Sequence, residues 1–406
     1  MNDAAMTEES RGGLERVAEI FAAFLKLGLT SFGGPIAHLG YFRNELVVRR
    51  RWIDEKGYAD LVALCQFLPG PTSSQTGFAL GLLRGGTLGA LAAFTAFTLP
   101  SAALLILFAY GADLFGGPVG SGIIHGLKVV AVAIVAQAVF GMAKTLCPDR
   151  TRAGIALGAV LVVTLAAGSF GQITAILLGA LAGLLLCRLS GETAATHVRF
   201  PVSRMAGAVC VIAFFALLVG LPILAGAISS QGLSVFDAFY RAGSLVFGGG
   251  HVVLPLLETE VVRSGWVAES RFLAGYGAAQ AVPGPLFTFA AYLGAVLNPA
   301  PNGLLGAIIA LAAIFAPGFL LLIGIIPFWD AFRGLTSAKA LMRGANAAVV
   351  GILGAALYSP VWTSAITGPR EFALALGCFV LLVTWNLPPW SVVLIGAAGG
   401  VLIGLI

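Results

Sequence analysis

Apolar residues run along this chain in long blocks, each closed by a short polar or Gly/Pro-rich stretch. In the first half the blocks lie near 16–42, 57–83, 87–112, 122–143, 153–168 and 171–187. A second series lies near 237–257, 272–297, 303–328, 341–358, 372–386 and 390–406, with one further block near Met205 to Ile228 between the two. Most are about 20 residues long, the length a helix needs to cross a bilayer. The pattern predicts an all-α polytopic membrane protein of thirteen hydrophobic segments.

The two series are copies of one pattern. Phe32-Gly33-Gly34 returns as Phe247-Gly248-Gly249 at an offset of 215, with Lys26 matched by Arg241 and Glu45 by Glu260. A one-residue deletion then shifts the offset to 214. Trp52 pairs with Trp266, and Gln66-Phe67-Leu68-Pro69-Gly70-Pro71 with Gln280-Ala281-Val282-Pro283-Gly284-Pro285. Further on, Pro100 matches Pro317, Lys128 matches Arg343 and Gly179 matches Gly396. Such self-similarity predicts a duplicated unit: an N-terminal repeat over 1–188, a linker with one transmembrane helix over 189–234, and a C-terminal repeat over 235–406.

Loop charge predicts how the copies are oriented. Loop 113–121 has no Lys or Arg, while its mate 330–343 has Arg333, Lys339 and Arg343. Loop 144–152 has Lys144, Arg150 and Arg152, while its mate 359–370 has Arg370. The bias reverses between halves, as inverted repeats require under the positive-inside rule. Arg188, Arg199 and Arg204 put the linker on the cytoplasmic side. Loop 43–56 conflicts with this count, because it holds Arg43, Arg49, Arg50, Arg51 and Lys56 where counting places the outside. Either the rule fails locally, or the first two segments of each half do not simply cross.

Composition narrows the class without changing it. The 406 residues are 59% hydrophobic and 10% charged, with 23 Lys+Arg and 18 Asp+Glu. Soluble domains are about 45–50% apolar and about 25% charged, so these charges cannot coat a soluble particle of this size. The net charge of +5 fits loop bias better than a nucleic-acid surface. Cys65, Cys147, Cys187, Cys210 and Cys378 are scattered, with no CxxC or Cys/His cluster, so no metal site, disulfide framework or cofactor is expected. The acidic start, with Asp3, Glu8 and Glu9, does not read as a cleaved signal. No Gly-Lys dipeptide occurs, which excludes a P-loop on this chain.

The candidate chemistry lies in the interruptions. Phe32-Gly33-Gly34-Pro35 and Phe247-Gly248-Gly249-Gly250 break the first segment of each half, because paired glycines tolerate non-helical backbone and Pro35 has no N–H to give. Pro69-Gly70-Pro71 and Pro283-Gly284-Pro285 break the second. In hydrocarbon, freed backbone groups are tolerated only where protein or water meets them. Breaks at matching places in two inverted halves point to a transport site, and half-helix N-termini suit an anion.

Lys26 and Arg241, six residues before each Phe-Gly-Gly, are expected to form a positive pocket; along its own helix Lys26 meets no acid closer than Glu19 and Glu15. Snorkelling is the alternative for these two and the preferred reading for Lys128 and Arg343. Gln66 and Gln280 can donate to an oxyanion or bond helix to helix. Thr72, Ser73, Ser74 and Thr76 follow the first Pro-Gly-Pro, against Thr288 alone after the second. His38 and His251, at non-equivalent register, are candidate proton carriers. Acids are scarce in the segments: Asp60 and Asp237 lie near ends, and Glu45 and Glu260 follow the first segments. That tilts the substrate toward an anion.

Both motifs, each present twice, resemble the chromate transporter family in its long-chain, ChrA-like form, across nearly the whole chain. The resemblance implies a bacterial inner-membrane protein that expels chromate and confers resistance, with sulfate as the anion it confuses with chromate. Gly250 in place of Pro35, and Ala281-Val282 in place of Phe67-Leu68, imply unequal roles for the halves. Chromate and sulfate are both tetrahedral dianions, so N–H dipoles and cations do not readily separate them. The expectation is a secondary active exporter, with an oxyanion importer or an anion channel as alternatives. An intramembrane enzyme would need a nucleophile–base set or metal cluster that the spacing does not offer. A homo-oligomer is left open.

Overall fold

The computed structural model describes residues 13–111, 117–166, 168–187, 200–332 and 335–405. Asp3, Glu8, Glu9, Arg188, Arg199 and Arg333 lie outside the described residues, as does much of loop 113–121.

Helices and helical turns make up the described residues. The first half holds α1 (Gly13–Thr30), α2 (Gly34–Phe42), α3 (Glu55–Phe67), α4 (Thr72–Gly111), α5 (Gly117–Leu146), α6 (Arg150–Leu165) and α7 (Ser169–Leu186). Helix α8 (Arg204–Ala227) links the halves. The second half holds α9 (Gln231–Ser244), α10 (Val253–Leu257), α11 (Glu269–Ala279), α12 (Phe289–Val296), α13 (Gly303–Ile325), α14 (Thr336–Ala356), α15 (Pro369–Val383) and α16 (Pro389–Leu405). Six helices among the described residues are long and apolar enough to cross a membrane: Thr72–Gly111, Gly117–Leu146, Ser169–Leu186, Arg204–Ala227, Gly303–Phe332 and Thr336–Ala365.

Local sequence accounts for many boundaries. Asp54, Asp149 and Ser203 each accept a backbone N–H from the first turn of the helix they precede, meeting donors a helix start leaves free. Gly85 and Gly86 leave helical backbone and kink α4; at the matching place in the second half α12 and α13 are separate helices. A π-helical turn, Arg43–Arg49 after α2 and Glu258–Val262 after α10, ends the same segment in each half. Helix α8 sits at the periphery, with Ile212, Phe215, Val219 and Ile223 exposed, as a lipid-facing helix would be.

The halves interlock. Helix α5 packs on α16 and α7 on α14, each pairing a first-half helix with a second-half one. Gly126 meets the Gly396 carbonyl and Gly344 meets the Gly179 carbonyl so closely that a Cβ at either would lie well inside contact distance. Small residues let backbones approach in this way, and apolar helices in lipid rely on that packing. The main core follows the same geometry, drawing buried residues from both halves.

Candidate functional site

Four chain interruptions meet at the centre. Helix α1 ends at Thr30 and α2 opens at Gly34, with Gly33 and Gly34 at φ 97° and 77°. Helix α9 ends at Ser244, and Gly248 and Gly249 stand at φ 78° and 144°. Between α3 and α4 Gly70 has φ 118°, and after α11 Gly284 has φ 100°. These are backbone conformations that side-chain-bearing residues rarely adopt.

The interruptions trade hydrogen bonds across the halves. The Gly70 amide donates to the Val246 carbonyl at 2.8 Å, and the Gly284 amide donates to the Ser31 carbonyl at 2.9 Å. Val246 is the repeat mate of Ser31 and Gly284 the mate of Gly70, so the same exchange is made twice, once from each half to the other. Groups freed by each break are thereby met by the other half, as buried backbone demands. Gly250 faces Pro35 and Leu286, with a Cβ on it 3.5 Å from Pro35 Cγ. The repeat mates Pro35 and Gly250 thus lie against one another across the halves.

A crevice of about 20 Å³ opens beside this exchange, lined by Gly33, Gly34, His251, Ala279, Gln280, Val282, Gly284, Leu286 and Pro389. First-half backbone and second-half side chains share it. Three helical starts reach it: α2 at Gly34, the 3₁₀ turn Leu286–Thr288 that leads into α12, and α16 at Pro389. Each brings the positive end of a helix dipole. Trp390 at the α16 start also packs on Phe32, ring centroids 6.3 Å apart. Gln280 Nε2 is buried with no hydrogen-bond partner among the described residues. The His251 ring places Nδ1 2.8 Å from the Tyr276 hydroxyl. The volume suits a water molecule, so a tetrahedral oxyanion would need the crevice to widen.

The repeat-matched glutamines separate here: Gln280 lines the crevice, while Gln66 is exposed at the end of α3. The histidines separate too. His38 is buried outside the crevice, its Nδ1 3.3 Å from Ser73 Oγ and its ring edge-on to Phe97. Around Pro69 and Pro71, the Gln75 amide donates to the carbonyls of Pro69 (2.9 Å) and Gly318 (3.0 Å), tying the first Pro-Gly-Pro to α13. Near Pro283-Gly284-Pro285, Thr288 donates to the Pro285 carbonyl. Phe247 packs on the core, and Gly248 faces Met142, Leu146 and Asn346.

The two cations stand in ion pairs outside the crevice lining. Lys26 Nζ lies 3.0 Å from Glu45 Oε2, and the same carboxylate accepts from Arg49 and Arg50. Arg241 pairs with Asp237 and lies 3.5 Å from Glu260, whose other oxygen accepts from Ser169 at 2.7 Å. The two partners lie outside the span-length apolar helices, and their titration differs. Burial pushes the Glu45 carboxyl up, but hydrogen bonds from Arg50, Lys26 and Arg49 outweigh it and hold it at about 2. Burial pushes Glu260 up, and the charge of Arg241 and the Ser169 hydrogen bond do not overcome it.

Reasoning from sequence left out Glu45 and Glu260 as partners, although each follows its cation by the same 19 residues. Tyr276 was also missed; its position one helical turn before Gln280 was the available signal. Nothing in the pattern signalled that α16 would open onto the crevice.

The architecture is that of a multi-pass helical membrane protein. A family model described as chromate transporter matches it twice, over residues 18–184 and 233–401. The chain belongs to the chromate transporter family, a family of transporters and not of enzymes, and the double match supports a duplicated repeat. It is 29% identical to the chromate transport protein of Pseudomonas aeruginosa, over 94% of this chain and 90% of that one. It is 28% identical to the probable chromate transport protein of Synechococcus elongatus, covering 93% of each. The chromate transport protein of Cupriavidus metallidurans is also 28% identical, over 94% of this chain and 91% of its own length. No solved structure matches the chain.

Proposed function

We propose that this chain is a secondary active transporter that carries chromate out of the bacterial cytoplasm across the inner membrane and so confers chromate resistance. The anion binds in the crevice between the first-half glycine interruption and the second-half Pro-Gly-Pro. The observation that carries this reading is Gln280 Nε2, a buried donor without a partner among the described residues, set among three helix starts. Unmet N–H groups and dipole ends in a low-dielectric site favour an anion and disfavour a cation.

Backbone at 33–35 and 283–285 orients the anion. The equivalent backbone at 248–250 and 69–71 supports it from the far side of the exchange. Lys26 and Arg241 act electrostatically from outside the lining, each ready to trade a carboxylate for the passing dianion. The halves are inverted repeats, as the loop charges suggest, and they rock against one another about the exchanged hydrogen bonds. The printed names of the relatives support chromate as the substrate.

A sulfate or other oxyanion transporter is the second reading, because a lining of donors does not separate two tetrahedral dianions. The small crevice argues against an open channel.

Chromate flux in proteoliposomes, with sulfate as competitor, tests the proposal. Saturable, gradient-coupled flux that Gln280→Leu weakens is the expected result. Absence of chromate movement under any imposed gradient overturns the substrate. Everted vesicles report direction, and uptake by them is what an exporter requires.

A further inference from the structure

The first two segments of the N-terminal half enter and leave on one side. Lys26 meets Glu45, and Glu19 meets Arg50. Helix α1 and the arm that begins with α2 therefore run back alongside one another, with Phe32-Gly33-Gly34 at the tip. Helix α4 also folds back. Gly81 and Gly89 touch backbone to backbone across the Gly85-Gly86 kink, although eight residues of straight helix span about 12 Å. Arg84 at that kink lies 3.5 Å from Glu19, so this turn, the start of α1 and loop 43–56 share a side. The rest of α4 and then α5 cross and return. The packed pair α6 and α7 repeats the excursion, and Arg343 on α14 donates to the Cys187 carbonyl where α7 ends. Loops 43–56 and 144–152, Arg204 and Lys339 thus share one side, against Arg263, Arg271 and Arg370 on the other. By the positive-inside rule that shared side is the cytoplasm. The arginine-rich loop obeys the rule once the segments flanking it are re-entrant. The second-half hairpin, joined by Arg241 and Glu260, opens the other way, since Glu260 accepts from Ser169 at the far end of α7.

The two mouths differ in charge. On the cytoplasmic side Lys26, Arg49, Arg50 and Arg84 share Glu19 and Glu45. On the outer side Asp237 and Glu260 share Arg241. Access differs in the same sense. Lys26 and Thr30 lie one turn apart on the exposed face of α1, and Gly33, three residues on, is exposed and lines the crevice. The matching strip is covered: Leu29 is 53% exposed and its mate Ser244 4%, and Gly248 faces Met142, Leu146 and Asn346. We propose that the Glu45 cluster is a cytoplasmic loading site for tetrahedral oxyanion dianions, where Lys26, Arg49 and Arg50 receive the anion before the crevice does, and that the outer cluster offers no such site. A dianion is drawn to a cluster in which cations outnumber carboxylates and repelled by one in which carboxylates outnumber the cation. This inference rests on the crevice being the anion site, and it adds the face from which the anion is captured.

The experiment measures chromate entry into everted vesicles, which present the cytoplasmic face, and into right-side-out vesicles, both carrying the full chain. In the parent protein the chromate KM should be at least about tenfold lower at the cytoplasmic face, and should rise with ionic strength at that face alone. This comparison needs no variant. Lys26→Gln combined with Arg49→Gln should raise the cytoplasmic-face KM about tenfold, flatten its salt dependence and leave the outer-face KM in place. Lys26→Arg combined with Arg49→Lys, which keeps both charges, should restore the parent values. A purely structural cluster would change both faces together. Lys56→Cys, with the five native cysteines replaced, should take a membrane-impermeant maleimide in everted vesicles alone.

Equal KM values at the two faces, a double glutamine variant that moves neither face or both alike, or labelling of Lys56→Cys in right-side-out vesicles overturns the proposal. Gln280→Leu separates the two levels, because the crevice serves the anion from either face. If it raises the KM at both faces while the double glutamine variant moves neither, the loading site alone falls. If it leaves both unchanged, the crevice reading falls, and the double glutamine variant still decides the loading site by itself.

Discussion

The two halves share a backbone plan but not a chemistry. Around the first-half interruptions stand Ser31, His38, Ser73, Gln75 and Thr98, all buried. Their repeat mates are Val246, Val253, Phe287, Phe289 and Phe315, buried and mostly larger. The crevice side chains reverse this bias, since His251 and Gln280 come from the second half and answer to Ile36 and exposed Gln66. The ion pairs differ as well: Glu45 is held by three cations, while Arg241 is shared by two carboxylates. The exchange of backbone hydrogen bonds needs only glycine at two matched places, so it tolerates divergence around it. Side chains carry no such constraint, and one crevice shared by two copies leaves each free to specialise.

The sharpest break of this comparison is at the exchange. Gly284→Val would put a β-branched residue at φ 100°, with its Cβ 2.8 Å from Ser101 Oγ. Strain at such a position costs on the order of 1–3 kcal/mol before any clash is counted. Chromate flux should be lost, and the thermal midpoint of the purified protein should fall. Gly70→Val, at φ 118°, should do the same if the exchange is symmetric in effect; a large difference between the two would show that one copy carries the hinge.

Next come the glutamines. Gln280→Leu should raise the chromate KM on the order of tenfold, by removing a buried donor. Gln66→Leu, at an exposed position, should leave the KM unchanged. Equal effects would mean that repeat position, not the crevice, decides.

The cations should separate by a smaller margin. Arg241→Ala leaves Asp237 and Glu260 facing one another without their arginine, and should destabilise the protein by about 1–3 kcal/mol, read as a lower unfolding midpoint. The Lys26 side chain is 52% exposed, and Glu45 keeps Arg49 and Arg50 without it. Lys26→Ala should therefore cost about 0–1 kcal/mol.

The pH dependence separates the two carboxylates in sign. Glu45 is depressed below its unfolded value, so its stabilisation is present above about pH 4.3 and is lost as pH falls toward 2. Glu260 is raised, so it lowers stability as pH climbs from its unfolded value to its folded one. Thermal melts against pH should show Glu45→Gln altering the profile only on the acid side, and Glu260→Gln flattening it above about pH 4.3.

Much of this arrangement was legible from local rules. Hydropathy blocks located the apolar helices, and the glycine and proline motifs marked where helices end, because positive φ and a missing N–H act within one or two residues. The neutralising partners were half visible: Lys26 to Glu45 and Arg241 to Glu260 share one spacing, but nothing in a spacing says that a π-helical turn brings the carboxylate back to the cation. Gln66 and Gln280 could not be told apart, since each precedes its Pro-Gly-Pro by three residues.

By itself the sequence determined the class of the protein, the duplication, the sites of helix interruption and the scarcity of charge, because each follows from composition or from backbone rules that act over a few residues. The tertiary structure alone decided which copy's glutamine and histidine face the crevice, that α16 opens onto it, and that each break is met by the other half. Those outcomes depend on contacts between residues roughly two hundred positions apart. Packing of interlocked helices, which no local pattern encodes, sets them.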